Sequence, residues 1–148
     1  MKQKTLFLLT ALLTMSFASC ENEANWDIVP QSVRTAFLEK YPNAKRIEWE
    51  NKGNYKVVDF VYNKMEAEAW FEYDGTWYMT ETDVPYKKLP QAVKNAFQAS
   101  GHAKWRIDDI DMIEKIGEET IYIIEVESIN KDVDLHYNEH GELRSDLY

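Results

Sequence analysis

VPQSVRTAF at residues 29–37 and LPQAVKNAF at residues 89–97 are two copies of one phrase. Pro, Gln, Val, Ala and Phe recur at an offset of 60. The echo continues in Asn43-Ala44-Lys45 against His102-Ala103-Lys104, where the offset is 59. It returns as Tyr73-Asp74-Gly75 against Tyr137 through Gly141, at offsets of 64 to 66. A drifting offset is what two copies of one fold show when the second has gained a few loop residues, and such a repeat decides the architecture.

Within each copy the phrase reads as a helix. Val29, Val33, Ala36, Phe37 and Tyr41 fall on one helical stripe, and Leu89, Val93, Ala96 and Phe97 repeat it. Pro30 and Pro90 suit a first helical turn, where a missing N–H loses no intrahelical partner. Pro42 stops the first helix; Ser100-Gly101 ends the second, with Gly101 free to take a left-handed cap. Neither Pro is preceded by Ser, Thr, Asp or Asn, so both helices depend on packing more than on capping.

After each helix the period changes to two. Copy one is predicted to form strands over 46–50, 55–62, 66–73 and 76–82, the last two joined by a two-residue Asp74-Gly75 turn. Copy two is predicted to form strands over 107–116, 120–127, 132–137 and 142–147. The expected fold class is α+β, a tandem repeat of a helix packed on a four-stranded antiparallel sheet. Val33 and Phe37, with Val93 and Phe97, make the helix–sheet contact, and the opposite sheet face stays open to solvent or a partner.

Residues 1–19 stand apart as a lipoprotein signal peptide. Lys2 and Lys4 precede a mostly apolar stretch from Leu6 to Phe17, too short for a comfortable membrane span. Phe17-Ala18-Ser19-Cys20 resembles a bacterial lipobox, with Phe17 where Leu is usual and the chain's single cysteine in the lipidated position. Residues 20–28 then form the lipidated Cys20 and a tether, 29–86 the first repeat and 87–148 the second. The expected location is the cell envelope, lipid-anchored at the outer membrane. With one cysteine, no intrachain disulfide can form.

Losing residues 1–19 removes two of the 17 basic residues and no acid, leaving 15 against 26 acidic residues. That balance repels phosphate backbones and excludes nucleic acid as a partner class. Five Trp, nine Tyr and six Phe mark a folded chain.

The helix starts at 29–33 and 89–93, the Tyr-Pro-Asn-Ala-Lys segment at 41–45 and the Tyr-Asp-Gly-Thr turn at 73–76 resemble the PepSY-like family of exported bacterial proteins. Closer still is the branch named for likeness to the β-lactamase inhibitor protein. The resemblance covers residues 26–148 and implies an α+β fold whose sheet surface binds, and in some cases inhibits, another protein. It transfers no catalytic residue.

Catalytic and metal signatures are weak. His136 and His140 are four apart but straddle a strand end and a turn, not a helix. Asp108, Asp109 and Asp111 lack the glycine of a calcium loop and read as a solvated strand edge. No Gly-rich phosphate loop, CxxC or HExxH occurs, so the chain is read as a non-enzyme, with no metal and no cofactor assigned. The remaining signal is aromatic. Trp70 and Tyr78 lead the set of candidate partner-binding residues; Trp49, Trp77 and Tyr62, with Tyr55, extend that surface or enter the core. Copy two shows Asp132, Asp134 and His136 in the corresponding place. The expected partner is a protein or peptide held by the sheet face. A glycan stacked on the aromatics, a cation held by the acids, and a purely structural envelope role are the alternatives. The membrane is engaged through the anchor only, and the sequence assigns no oligomeric state.

Overall fold

The computed structural model describes residues 25–144. Helix α1 (Gln31–Lys40) is followed by strands β1 (Lys45–Lys52), β2 (Tyr55–Tyr62), β3 (Met65–Glu72) and β4 (Trp77–Asp83). Helix α2 (Gln91–Ala99) is followed by β5 (Arg106–Lys115), β6 (Ile121–Ser128) and β7 (Lys131–Asn138). The strands form one antiparallel sheet in the order β1-β2-β3-β4-β5-β6-β7. Every strand is a hairpin neighbour of the one before it except β5, which reaches β4 across α2. The two copies thus share a single sheet, through β4–β5 pairs running from Met79↔Lys115 to Asp83↔Asp111.

The repeat extends into details that sequence identity does not show. A short 3₁₀ turn precedes each helix, at Trp26–Ile28 and Tyr86–Lys88, again 60 residues apart. Both prolines occupy the capping position just before the helix, with ψ of 146° and 145°. Their carbonyls accept the amides of Arg34 and Lys94. No side chain caps either N-terminus, as the sequence implied. The second helix ends differently from the expectation: Ser100 is extended and its Oγ accepts the His102 amide, so Gly101 is not needed in the left-handed region.

Both helices cover the same face of the sheet. Phe37 is fully buried, with its ring centroid 5.1 Å from Phe60, 5.3 Å from Trp49 and 6.3 Å from Phe71. Phe97 instead meets an aliphatic floor of Ile110, Ile124, Val126 and Leu135. The cores are equivalent in place and different in chemistry.

Copy two falls one strand short of the expected four. Residues 142–144 return along β7 through a single Tyr137↔Leu143 bridge and the Asn138–Glu142 and Arg144–His136 backbone bonds. The equivalent β4 is flanked by strands on both sides, whereas 142–144 has β7 alone for a neighbour among the described residues. Residues 145–148, the rest of the expected strand, lie outside the described residues, as do residues 1–24 with Cys20.

The hairpin at Tyr73-Asp74-Gly75 is a three-residue loop and not the two-residue turn expected. Gly75 N–H donates to the Glu72 carbonyl and Glu72 N–H to the Thr76 carbonyl, with Gly75 left-handed at φ 97°. Residues 139–141 reproduce it, Gly141 standing at φ 78°. Each loop lies against the first turn of its own helix, where Ser32 Oγ donates to the Tyr73 carbonyl. A Cβ on Gly75 would stand 2.9 Å from the Ser32 carbonyl oxygen, and one on Gly141 2.5 Å from that of Ala92.

Two stability experiments follow from this packing. Phe37→Ala should cost roughly 3–5 kcal/mol in urea unfolding, the range for a fully buried Phe. Gly141→Ala should destabilise by about 1 kcal/mol or more beyond Gly53→Ala, because both glycines are left-handed but nothing lies within 4 Å of a Cβ at Gly53. Equal losses for the two glycine variants would mean the loop does not wedge against α2.

Candidate functional site: the open sheet face

Directly paired residues share a face, so the register fixes what the uncovered side presents. On β2 and β3 it carries Tyr55, Val57, Asp59 and Val61 opposite Glu72, Trp70, Glu68 and Glu66. On β4 it carries Met79 opposite Trp70 and Glu81 opposite Glu68. Lys115, Ile113 and Asp111 continue it on β5, Ile121, Ile123 and Glu125 on β6, and His136 and Asp134 on β7. The result is one surface built from both copies.

At one end, three rings cluster. Tyr55 stacks on Tyr78 at 4.9 Å between centroids and meets Trp70 edge-on at 5.6 Å. Trp70 Nε1 donates to Glu68 Oε1 at 2.6 Å, which fixes the indole plane. Lys52 Nζ sits 2.7 Å from both Glu50 and Glu68 and 5.3 Å from the Trp70 ring centroid. The flanking carboxylates raise the Lys52 pKa and hold it charged. Val57, beneath these rings, is fully buried although no helix covers it.

The rest of the face is acidic. A shallow hollow of about 300 Å³ is lined by Glu48, Asp59, Glu66, Glu81, Asp83 and Asp111, with Arg46 at its rim 3.5 Å from Glu66. Burial, helped by neighbouring carboxylates, raises the pKa of Asp59, Glu81, Asp83 and Glu125. Asp111 is pushed furthest, up to about 7, by burial and then by Asp109, Glu81, Asp83 and Glu125. Carboxylate oxygens of Glu50, Asp59 and Glu68 lie within 4.8 Å of one another, a spacing open to a cation. Two of the three already bind the Lys52 ammonium, which supplies the positive charge there.

The structure divides the predicted aromatic set. Trp70, Tyr78 and Tyr55 come together on the open face. Trp49, Trp77 and Tyr62 lie on the helix side, packed against the core under α1, because Trp49 pairs with Val58, Trp77 with Phe71 and Tyr62 with Met65. Trp77 Nε1 donates to Thr80 Oγ1 at 2.8 Å, and Lys40 Nζ lies 3.8 Å from its ring centroid. A bulge between the Trp70 and Phe71 pairings places Tyr78 beside Met79 on one face and turns Thr80 into the core. Alternation along the strand expected over 76–82 would put Thr76, Tyr78 and Thr80 on one face, and it misses that switch.

Asp109 and Asp111 do not lie on a strand edge. β5 is internal to the sheet, and both carboxylates project onto the open face. Asp108 falls at the β5 bulge and pairs with Arg106 at 2.8 Å. His136 is on the open face of β7 and His140 in the turn beyond it, beside Glu139. Ile113, Ile121 and Ile123 complete the face and were missed as surface residues. The Ile-Tyr-Ile-Ile run at 121–124, apolar on both sides of the strand, is the signal for Ile121 and Ile123; Ile113 has none of its own.

The acidic crowding has a thermodynamic sign. Asp111 keeps its proton in the folded state up to about pH 7, whereas the unfolded carboxyl loses it near 3.8. Between those values the folded state holds the extra proton, so stability falls as pH rises through this window. Asp111→Asn should therefore raise the melting temperature at pH 8 and change it far less at pH 5, read by circular dichroism. An equal gain at both pH values would remove the carboxylate repulsion as its cause.

The family described as "putative beta-lactamase-inhibitor-like, PepSY-like" matches residues 18–60 and 54–145. A BLIP-like protein from Bacteroides fragilis NCTC 9343 superposes with a TM-score of 0.73 at 38% identity, over 78% of this chain and 83% of its own. A DUF2874 family protein from Bacteroides ovatus ATCC 8483 gives 0.71 at 31%, over 78% and 84%. A Bacteroides eggerthii DSM 20697 structure named "putative periplasmic proteins" gives 0.71 at 30%, over 78% and 85%. No curated protein matches the chain. Sequence and fold agree that the chain belongs to the PepSY-like, β-lactamase-inhibitor-like family.

Proposed function

We propose that the chain is a non-catalytic binding module of the cell envelope that captures a protein or peptide on its open sheet face. The observation that carries this reading is the continuity of that face across β4 and β5, with Trp70, Tyr55 and Tyr78 half-buried at one end. One sheet offers room for a macromolecule, where two separate sheets would have offered two small sites. Trp and Tyr give large contact area at low entropic cost, and here their orientations are already set by stacking and by Glu68. The inhibitor-like description of the family supports a binding role in kind; it names no target for this chain. Among the described residues no helix is long and apolar enough to cross a membrane. We keep Cys20 as the proposed lipid attachment point, which would place capture at the membrane surface.

The stacked rings also favour a second reading, a glycan lying on Tyr55 and Tyr78. Thermal-shift measurements separate the two, since stabilisation by oligosaccharides without protein would favour the glycan. For the leading reading, the chain and its Trp70→Ala/Tyr78→Ala variant are used to pull partners from envelope extract. The variant should retain a cooperative melt and lose the partner, with affinity weakened by about 30-fold or more, as for a hot-spot pair. An unchanged partner list from the folded variant would sink the assignment of this face.

A further inference from the structure

The open face is patterned, and the pattern specifies more than its average charge. Apolar positions run across the strands in a stripe: Trp70 beside Met79 on β3 and β4, Ile113 beside Ile121 on β5 and β6, then Ile123. Tyr55 and Tyr78 widen its β2–β4 end. The register steps this stripe along the strands as it crosses from β4 to β5. A band of carboxylates steps with it, one register position away, while on the other side Glu72 stands opposite Tyr55. Glu68 and Glu81 flank Trp70 and Met79, Asp111 flanks Ile113, and Glu125 flanks Ile123. On the opposite flank Lys115 stands 5.5 Å from the Tyr78 ring centroid, and Lys52, opposite Tyr55, binds Glu68 of the band at 2.7 Å.

Resting on the reading of this face as a binding surface, we infer that its occupant is a cationic amphipathic helix, with an apolar ridge seated on the stripe and Lys or Arg along one flank meeting the carboxylate band. Three observations select this chemistry. The inner strands are hydrogen-bonded on both sides, so a partner lying across them meets side chains and cannot extend the ladder. The stripe crosses five strands, β2 to β6, a span of roughly 20 Å at strand spacing, the length of a helix of about 13 residues. The chain's own Lys52 shows the recognition mode, an ammonium held between two carboxylates against the Trp70 ring. An acidic partner would meet repulsion along the whole band.

Binding of such a helix is linked to protons. Asp111 is faced by Glu81 and Asp83 from β4, Asp109 from its own strand and Glu125 from β6. His136 lies across Ile123 on β7, and the Arg46–Glu66 pair stands at the far rim of the hollow. A cationic partner favours the ionised carboxyl, so binding near neutral pH releases protons and tightens as pH rises from 6 to 8.

The test uses the purified chain and three labelled 14-residue peptides followed by fluorescence anisotropy. One is a Leu/Lys helix with all its lysines on one flank. The second has the same composition in scrambled order, and the third replaces Lys with Glu. The first should bind at least about tenfold more tightly than the scrambled one, and the Glu peptide should not bind. Trp70→Ala and Asp83→Asn/Asp111→Asn should each weaken the first peptide by about fivefold or more. Only the carboxamide pair should flatten the salt and pH dependence. Equal binding of the ordered and scrambled Lys peptides, or indifference to the carboxamide pair, would overturn the amphipathic assignment. Should the peptides not bind while extract capture still depends on Trp70 and Tyr78, the partner chemistry is wrong and the binding face stands. Loss of dependence in both experiments overturns both.

Discussion

The pairing of β4 with β5 is the constraint on which the rest of the molecule depends. Without it the chain would be two helix-on-sheet units, each with a bare strand edge where its neighbour now sits. With it, the edges at the joint are consumed, both helices fall on one side, and the opposite side becomes a single surface. The joint is not apolar throughout. Thr80 and Thr82 on β4 are buried on the helix side, and Thr80 gathers the Tyr41 hydroxyl and the Trp77 indole. Burial pushes the Tyr41 hydroxyl up to about 12, so it stays a neutral hydrogen-bonding partner. These contacts tie the end of α1 to the strand that meets copy two. They let the interior remain satisfied where the two cores approach each other.

The helices were legible because their signal is local. Proline, the apolar stripe and the offset of 60 together place α1 and α2 to within a residue, and the largely apolar run from Tyr55 to Tyr62 gives β2 at its observed bounds. Departures occur where geometry depends on something outside the segment. The bulge at Trp77–Met79 reverses the face of Thr80, and no residue in that run announces it. Asp109 and Asp111 look like an edge because acids are common on edges; only the β4 pairing makes their strand internal. The three-residue loop at Gly75 packs on Ser32, 43 residues earlier in the chain. The site itself was half readable. Trp70 and Tyr78 stand out by type, whereas Ile113 and the order of the acids emerge from cross-strand register alone.

The two copies have divided their labour through residue choice on an unchanged frame. Copy one spends its rings on both sides of the sheet, with Phe37, Trp49 and Phe60 beneath α1 and Tyr55, Trp70 and Tyr78 on the open side. Copy two has a more aliphatic core, with Phe97 and Tyr137 as its buried rings, and places isoleucines and carboxylates on that side. The acidic hollow draws on both, since Glu81 and Asp83 come from β4 and Asp111 from β5. Most of its carboxylates belong to copy one, and the joint adds Asp111, the group whose pKa burial and its acidic neighbours raise furthest.

Placement of both helices on one side has an evolutionary corollary. Substitutions on the uncovered side leave the dry interior untouched, with Val57 as the exception because it is fully buried on that side. Folding and the make-up of the open face are thereby written on alternate residues of the same strands, and one can drift while the other is held. A scaffold of this kind can recast its open face by altering every second residue, leaving its wedged glycine loops and helix phrases in place.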